Sequence, residues 1–221
     1  MDRSAIILAG GTAKRFDGKD KGLFELNGKP LLNHVVDTVK ELVDEVIIVT
    51  NTQERADIYA KIVSTKSNFA LDIAKSKGPL AGALTGFKTA QGDYCLLLPF
   101  DSPFVQKEII ALIFDLCIGK TAVVPRHPDQ MIEPLHAVYN REKALVAAQE
   151  AFADENFDMQ SMVERLQGVR YLSTMVIEQL DPELNAFVNI NTPVDLKRAL
   201  ALSGTKPKKT KKTSDLQNRN R

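Results

Sequence analysis

The chain has 221 residues, of which 44% are hydrophobic and 26% charged, so its composition excludes an intrinsically disordered protein and predicts a globular domain with a large core. Its two cysteines lack Cys-x-x-Cys spacing and its three histidines are scattered, which excludes a zinc site of the usual kind. The net charge is +1. No apolar run approaches ~18 residues, which excludes a membrane-spanning helix, so we expect a cytoplasmic protein.

The first predicted strand, Ala5–Leu8, leads into a glycine-rich and basic loop. Gly10 and Gly11 let backbone N–H groups approach a ligand that side chains would otherwise block. Arg15 and Lys21 add two positive charges to the same loop. Backbone donors and cations together are typical of a polyphosphate-binding loop, and the alternative is a surface turn whose charges are solvated.

This loop differs from the two best-known phosphate-binding motifs. A dinucleotide-binding fingerprint needs Gly-x-Gly-x-x-Gly, whereas Gly10 and Gly11 are adjacent. A P-loop needs four residues between its glycines, whereas six residues separate Gly11 from Gly18. It also needs Lys-Ser or Lys-Thr next, and here Lys19 is followed by Asp20. Both motifs are therefore excluded.

Strands and helices alternate along the first half of the chain. After the first strand, apolar runs predict strands over Glu45–Thr50, Ala70–Ile73, Tyr94–Leu98 and Thr121–Val124. The segments between them predict helices over Leu31–Leu42, Gln53–Val63, Pro79–Ala90 and Gln106–Ile118. Strands that are apolar on both faces and alternate with such helices predict an α/β fold, a single three-layer domain doubly wound around a mostly parallel sheet.

Polar groups follow four of these strands. The glycine loop follows the first strand, Asn51 follows the second, Asp72 lies at the end of the third and Asp101 follows the fourth. In open α/β sheets, ligands bind beyond the carboxyl ends of the strands. We therefore expect these four stretches of sequence to converge on one crevice.

The third predicted helix opens with Gly78-Pro79-Leu80-Ala81-Gly82, with proline at its first position. Gly82 and Gly86 each cost about 1 kcal/mol relative to alanine inside a helix. That cost indicates the close approach of another group, either a flat ligand such as a nucleobase or a strand of the sheet beneath the helix.

Asp101 stands at the tip of a buried strand, between Pro99 and Pro103. A carboxylate held stiffly at the ligand edge, with phosphates nearby, suits Mg²⁺, which usually takes one or two carboxylates together with phosphate oxygens and water. The alternative is that Asp101 or Ser102 caps the helix that follows.

The alternation loosens in the second half of the chain. The patterns predict strands over Leu135–Tyr139 and Val169–Leu172 and helices over Arg141–Phe152 and Met159–Leu166. A last helix, with Thr192 as its N-cap and Pro193 first, runs to Leu202. Asn189 and Asn191 precede this helix and share one face if the chain is extended. They either bind a polar substrate or close the turn into the helix.

Residues 203–221 form a basic segment with seven Lys and Arg and one Asp, about +6, which leaves about −5 on the rest of the chain. Because this segment has few apolar residues, we expect a disordered and solubilising tail that follows one domain over residues 1–202. Binding of RNA, an acidic partner or a membrane surface is the alternative for the tail, and any nucleic-acid-binding role rests on it alone.

Taken in order, these motifs resemble the molybdenum cofactor guanylyltransferase family, within the wider nucleotidyltransferase group. The resemblance covers residues 5–200, and its motifs are Leu8-Ala9-Gly10-Gly11 with Arg15, Asp20-Lys21-Gly22-Leu23, Leu26-Asn27-Gly28-Lys29-Pro30-Leu31, Gly78-Pro79-Leu80-Ala81-Gly82, Pro99-Phe100-Asp101-Ser102-Pro103 and Asn189-Ile190-Asn191-Thr192-Pro193. The wider group shares the Gly-Gly, Arg and Lys loop, whereas the Asp-Lys-Gly-Leu, Gly-Pro-Leu-Ala-Gly and Asn-Ile-Asn-Thr-Pro segments are more specific to the guanylyl branch.

The resemblance implies a Rossmann-like nucleotidyltransferase fold and an enzyme that transfers GMP from GTP to the phosphate of molybdopterin, with Mg²⁺ as cofactor and pyrophosphate as the second product. Its catalytic residues are then Lys21, Arg15 and Asp101, and Asp101 is also the metal ligand. The implied nucleotide-binding residues are Leu8, Ala9, Gly10, Gly11, Lys21, Asn51, Asp72, Pro79, Leu80, Gly82 and Asp101. Gly18, Asn189 and Asn191 lie toward the pterin acceptor. Cofactor-insertion proteins or molybdoenzymes are the implied transient partners.

Two residues depart from the family pattern, and two other functions stay open. Asp17 stands where the family usually has glycine, and Ala13 replaces a frequent serine that could donate to phosphate. One alternative is a cytidylyl- or uridylyltransferase that acts on another phosphate acceptor. The other is a non-catalytic nucleotide-binding module that serves as a cofactor chaperone.

Overall fold

A seven-stranded sheet forms the centre of the computed structural model, which describes residues 2–10, 20–63, 65–72 and 78–203. In chain order the strands are β1 Arg3–Leu8, β2 Glu25–Leu26, β3 Lys29–Pro30, β4 Glu45–Thr50, β5 Asn68–Leu71, β6 Tyr94–Pro99, β7 Ala122–Arg126, β8 Ala137–Asn140 and β9 Val169–Ser173. The sheet order is β5-β4-β1-β6-β8-β7-β9, and β2 and β3 form a separate hairpin. Only β8 runs antiparallel to its neighbours in the large sheet. The predicted mostly parallel sheet is therefore confirmed.

Helices cover both faces of the sheet. They are α1 Leu31–Val39, α2 Gln53–Ile62, α3 Pro79–Thr89, α4 Lys107–Cys117, α5 Arg141–Ala153, α6 Met159–Arg165, α7 Thr174–Ile177 and α8 Pro193–Leu202. Every predicted helix and strand is present, with ends that shift by a few residues. The largest shifts are in α1, which ends at Val39 instead of Leu42, and in β5, which lies over Asn68–Leu71. The hairpin and α7 are additions to the predicted set.

Two apolar cores lie on opposite faces of the sheet. Ala5 and Ile7 of β1 belong to the core under α1 and α4, whereas Ile6 belongs to the core under α3, α5 and α6. Successive side chains of a strand point to opposite faces, so a strand buried on both sides needs a continuous apolar run. This arrangement is the predicted three-layer fold.

Backbone hydrogen bonds continue past the strand ends and align the loops at the carboxyl edge. The N–H of Ala9 donates to the carbonyl of Val49 (2.8 Å), and the N–H of Phe100 donates to the carbonyl of Leu8 (3.2 Å). The N–H of Asp72 donates to the carbonyl of Thr50 (2.7 Å). The described residues that directly follow β1, β4, β5 and β6 therefore lie side by side, as predicted.

A small third core brings the C-terminal segment to the same edge. Leu26, Leu31, Ile190 and Ala199 form an apolar cluster that joins the β2–β3 hairpin to α8. The N–H of Ile190 donates to the carbonyl of Asp101 (2.9 Å). The segment around Ile190 is thus fixed beside the end of β6.

The last helix begins as predicted. The hydroxyl of Thr192 accepts from the N–H of Asp195 (3.1 Å), and Pro193 occupies the first helical position. Across the described ranges, no helix combines the length and the apolar character that crossing a membrane would need.

Gly86 lies on the face of α3 that contacts β1. A Cβ added at this position would meet Cγ2 of Ile6 at 2.3 Å, and Ile6 is fully buried in the central strand. Of the two explanations that the sequence leaves open for this glycine, helix-to-sheet packing is therefore the one that the structure supports.

We expect Gly86→Ala to lower the free energy of unfolding by about 1–3 kcal/mol, because overpacking outweighs the gain of about 1 kcal/mol in helix propensity. Urea denaturation measures this change. Lys88→Ala on the exposed side of the same helix is the control, with an expected change within about 0.5 kcal/mol. A Gly86→Ala protein as stable as the wild type would contradict the packing account.

Candidate active site

A cavity of about 410 Å³ opens at the carboxyl edge of the sheet. Its walls come from the loops after β1, β5 and β6, from the start of α3 and from the segment before α8. Its volume lies within the range of small-molecule and cofactor sites. The residues that were predicted for the site and that line the cavity are Leu8, Gly10, Asp72, Pro79, Gly82, Asp101 and Asn189.

Two further predicted residues, Ala9 and Leu80, do not line the cavity. Ala9 and Leu80 are buried in the core, with exposed fractions of 1% and 0%. The N–H of Ala9 donates to Val49, and the N–H of Leu80 donates to the carbonyl of Phe157 (3.3 Å). Both amides thus have partners within the protein, and the side chains are not accessible to a ligand.

The remaining predicted residues lie beside the cavity or outside the described ranges. Asn51 follows β4, and its Oδ1 accepts from Nη1 of Arg55 (3.1 Å). Lys21 contacts Asp101 of the cavity wall, and Asn191 accepts a hydrogen bond from Lys21. Gly11, Arg15 and Gly18, together with the departures at Ala13 and Asp17, lie outside the described residues, so their roles stay predictions.

Lys21 and Asp101 form an ion pair at the mouth of the cavity. Nζ of Lys21 contacts Oδ2 of Asp101 and donates to Oδ1 of Asn191 (2.8 Å). Only 13% of the Lys21 side chain and 12% of the Asp101 side chain are exposed. The ammonium also lies 5.5 Å from the ring centroid of Phe100. Three segments that are far apart in sequence therefore converge on one ammonium group.

Asp101 owes its place to the end of β6. Pro99 is the last residue of that strand, and the carbonyl of Asp101 accepts from the N–H of Ile190. The helix that follows begins at Lys107 with Gln106 as its N-cap. The alternative prediction, that Asp101 or Ser102 caps this helix, is therefore wrong, because an irregular segment separates them from it.

A buried relay holds the side chain of Asn189 at the cavity wall. The hydroxyl of Ser102 donates to Oδ1 of Asn189 (2.5 Å), and Nε2 of His136 lies 3.0 Å from the same hydroxyl oxygen. Ser102 and His136 are both buried, so this pair of contacts is shielded from water. With its carbonyl oxygen engaged, Asn189 has its NH₂ group left to donate to a ligand.

His136 is neutral in the folded protein. Its side chain is 2% exposed, and burial lowers its pKa to about 3. An unfolded histidine titrates near 6.5, so the unfolded chain takes up a proton between pH 6.5 and 3 that the folded chain does not. The stability associated with His136 is therefore present above pH 6.5 and is lost as the pH falls toward 3.

Between pH 7 and pH 5, we expect His136 to account for a loss of about 2 kcal/mol in the free energy of unfolding. Urea denaturation of the wild type and of His136→Gln at the two pH values measures the loss. The variant keeps an amide donor for Ser102. The difference between the two proteins cancels the contribution of the other titrating groups. An equal pH dependence in both proteins would show that His136 is not buried in its neutral form.

The donor groups of the site fit a hard divalent cation that is shared with a phosphate ligand. Within the described ranges, no group of three or more His, Cys, Asp and Glu side chains could hold a metal by itself. Asp101 is one nearly buried carboxylate, and Asp72 lines the same cavity. One or two carboxylates completed by phosphate oxygens and water is the usual set for Mg²⁺, so the residues fit this ion.

The chain is similar to known nucleotidyltransferases over most of its length. The family model for the MobA-like NTP transferase domain matches residues 5–169. A probable molybdenum cofactor guanylyltransferase of Methanosarcina acetivorans is 34% identical over 199 residues, which is 88% of each chain. A molybdenum cofactor guanylyltransferase of Desulfosudis oleivorans is 30% identical over 90% of this chain and 94% of its own length.

Solved structures show the same fold. The molybdopterin-guanine dinucleotide biosynthesis protein A of Archaeoglobus fulgidus superposes with a TM-score of 0.76 at 27% identity, over 91% of this chain and 98% of that one. The 2-C-methyl-D-erythritol 4-phosphate cytidylyltransferase of Thermus thermophilus gives a TM-score of 0.66 at 18% identity over 93% of this chain and all of the other, a likeness of fold alone. Since the matches to the family model and to these relatives both span most of its length, the chain belongs to the MobA-like NTP transferase family.

Proposed function

We propose that the protein transfers GMP from GTP to the phosphate of molybdopterin, forming the guanine dinucleotide cofactor and pyrophosphate. The observation that carries the proposal is the Lys21–Asp101 pair at the mouth of a nucleotide-sized cavity. Relatives named for this reaction match 88% and 90% of the chain, which supports the choice of substrates.

The reaction needs no general base. A phosphate monoester is largely a dianion at pH 7, because its second pKa is about 6. One of its oxygens attacks the α-phosphorus of GTP, the bond to the bridging oxygen of the β-phosphate breaks, and pyrophosphate leaves with that electron pair. Catalysis then consists of alignment and of the neutralisation of charge on two anions that repel each other.

Lys21 is the cation that we place on the phosphates, together with Arg15 from the glycine loop. In the structure the Lys21 ammonium is already desolvated and held by Asp101 and Asn191. A cation with few water molecules to lose interacts strongly with a phosphate that takes their place. The role of Lys21 in the reaction is therefore electrostatic.

The cavity wall is the proposed binding surface for the nucleoside. The proposed nucleoside contacts that line the cavity are Leu8, Gly10, Asp72, Pro79 and Gly82. The further proposed contacts are Ala9, Gly11, Asn51 and Leu80. A Cβ at Gly82 would lie 3.2 Å from Cδ2 of Leu8, so glycine keeps the wall flat there. A flat apolar wall is suited to a base.

Asp101 is the proposed ligand of Mg²⁺, with Asp72 as the other carboxylate of the cavity. When bound, the metal neutralises phosphate charge and orients the α-phosphate for in-line attack. The Asp101 carboxylate contacts Lys21 through Oδ2, and its second oxygen, Oδ1, is the atom that we place on the metal.

The acceptor side is proposed to include Gly18, Asn189 and Asn191. Asn189 offers NH₂ donors that suit phosphate or pterin oxygens, and Asn191 contacts the lysine. We assign the whole reaction to the domain over 1–202 and no step of it to residues 203–221. Cofactor-insertion proteins and molybdoenzymes are the proposed recipients of the product.

The test is a nucleotide panel with purified protein, Mg²⁺ and molybdopterin acceptor, read by product mass and pyrophosphate release. With GTP we expect a guanylylated product and one pyrophosphate per product. Product from CTP or UTP would instead indicate a pyrimidine nucleotidyltransferase. GTP binding without pyrophosphate release would indicate a non-catalytic cofactor chaperone.

In the same assay, the turnover of variants at the proposed site is compared with that of a variant far from it. We expect Lys21→Ala and Asp101→Ala each to lower turnover by about 100-fold or more while the fold is retained. Lys143→Ala is the matched control, since this exposed lysine follows β8 at the opposite edge of the sheet. Near-normal Mg²⁺-dependent transfer by Asp101→Ala would overturn the metal assignment.

A further inference from the structure

Asp20, the residue before Lys21, is held by three groups. Its Oδ1 accepts from the N–H of Gly22 (2.9 Å) and from the hydroxyl of Tyr59 (2.5 Å). Its Oδ2 pairs with Nε of Arg55 at 3.1 Å. The Asp20 side chain is 15% exposed and the Arg55 side chain 18%, so water competes little for these contacts. The carboxylate therefore has one well-defined orientation.

Two of the residues that hold Asp20, Arg55 and Tyr59, belong to helix α2. Tyr59 is fully buried in the core under α1 and α4, and Thr52 caps the start of α2. A Cβ on Gly22 would lie 2.4 Å from the Tyr59 hydroxyl oxygen, so the tyrosine is in direct contact with the backbone of the turn that carries Lys21. Burial raises the pKa of Tyr59, which keeps the hydroxyl a donor.

Arg55 joins this turn to a second loop. Its Nε pairs with Asp20 while its Nη1 donates to Oδ1 of Asn51 (3.1 Å). Asn51, Arg55 and Tyr59 are spaced four residues apart, which places them along one side of α2 and its entry. One planar guanidinium thus contacts Asn51, which is a proposed nucleotide contact, and Asp20, which precedes the proposed contact Lys21.

We infer that Tyr59 and Arg55 are positioning residues for nucleotide binding: through Asp20 they fix the turn that presents Lys21, and Arg55 couples Asn51 to that turn. The inference rests on the proposed function, since it takes Lys21 as a phosphate contact. Neither residue needs to touch the substrate. Their contribution is the placement of an ammonium group, for which a shift of about 1 Å is costly.

The test is a double-mutant cycle on equilibrium nucleotide affinity in the full chain, measured by calorimetry with Mg²⁺ and no acceptor. GTP, CTP and UTP are titrated into the wild type, and the tightest ligand is used throughout. We expect Tyr59→Phe to weaken binding about fivefold or more when Lys21 is present. In the Lys21→Ala background, the same substitution is expected to change affinity by less than about twofold.

Arg55→Lys supplies an independent arm of the test. Lysine keeps a positive charge for Asp20 but cannot also form the second bond of the guanidinium fork to Asn51. We expect Arg55→Lys to weaken nucleotide binding when Lys21 is present. We also expect its effect on affinity to be non-additive with the effect of Asn51→Ala. Unfolding midpoints of all variants identify any protein that fails to fold, in which case the other arm decides.

Tyr139→Phe is the matched control. Tyr139 is also fully buried, and its hydroxyl donates to the carbonyl of Pro134 (2.7 Å) instead of to the Lys21 turn. We expect the same loss of a buried hydrogen bond there to leave nucleotide affinity within about twofold of the wild type.

The outcomes separate this inference from the proposed function. The positioning role is wrong, while the proposed function stands, in either of two cases. In the first, Tyr59→Phe lowers affinity equally with and without Lys21, and Arg55→Lys lowers it equally with and without Asn51. In the second, neither substitution lowers affinity. If the wild type binds none of the nucleotides, the proposed function is contradicted and the positioning role is contradicted with it.

Discussion

The contact between Lys21 and Asp101 is the interaction around which the described part of the site is organised. Two opposite charges are held together with only about an eighth of each side chain exposed. Such a pair adds little to stability, because the cost of desolvating both charges offsets most of their attraction. We propose that the cation of this pair serves the substrate phosphates and that the carboxylate serves the metal.

The fold brings this pair together from positions 80 residues apart. Asp101 is placed by the central strand β6, and Lys21 by a 3₁₀ turn between β1 and α1. The third core then seats Ile190 beside Asp101 and brings Asn191 to the lysine. The sheet holds the ends of its strands rigidly, and polar contacts between loops position the functional groups there. Sites in open α/β sheets are generally built in this way.

Much of this arrangement could be predicted from sequence, and the reason is physical. Val46, Ile47 and Ile48 belong to a strand that is buried on both faces, so its apolar run is continuous and its ends are clear. The two-residue strands of the β2–β3 hairpin are too short to show any periodicity. The close approach of Gly86 to Ile6 and the contact between Tyr59 and Asp20 depend on packing between distant segments, which no local pattern records.

The central claim is the proposal that Asp101 holds Mg²⁺ when the nucleotide binds. Equilibrium GTP affinity, measured for the wild type and for Asp101→Asn in Mg²⁺ and again in EDTA, tests it most directly. We predict that Mg²⁺ tightens GTP binding by the wild type about tenfold or more and changes binding by Asp101→Asn less than about twofold. The same response to Mg²⁺ in both proteins would contradict the account.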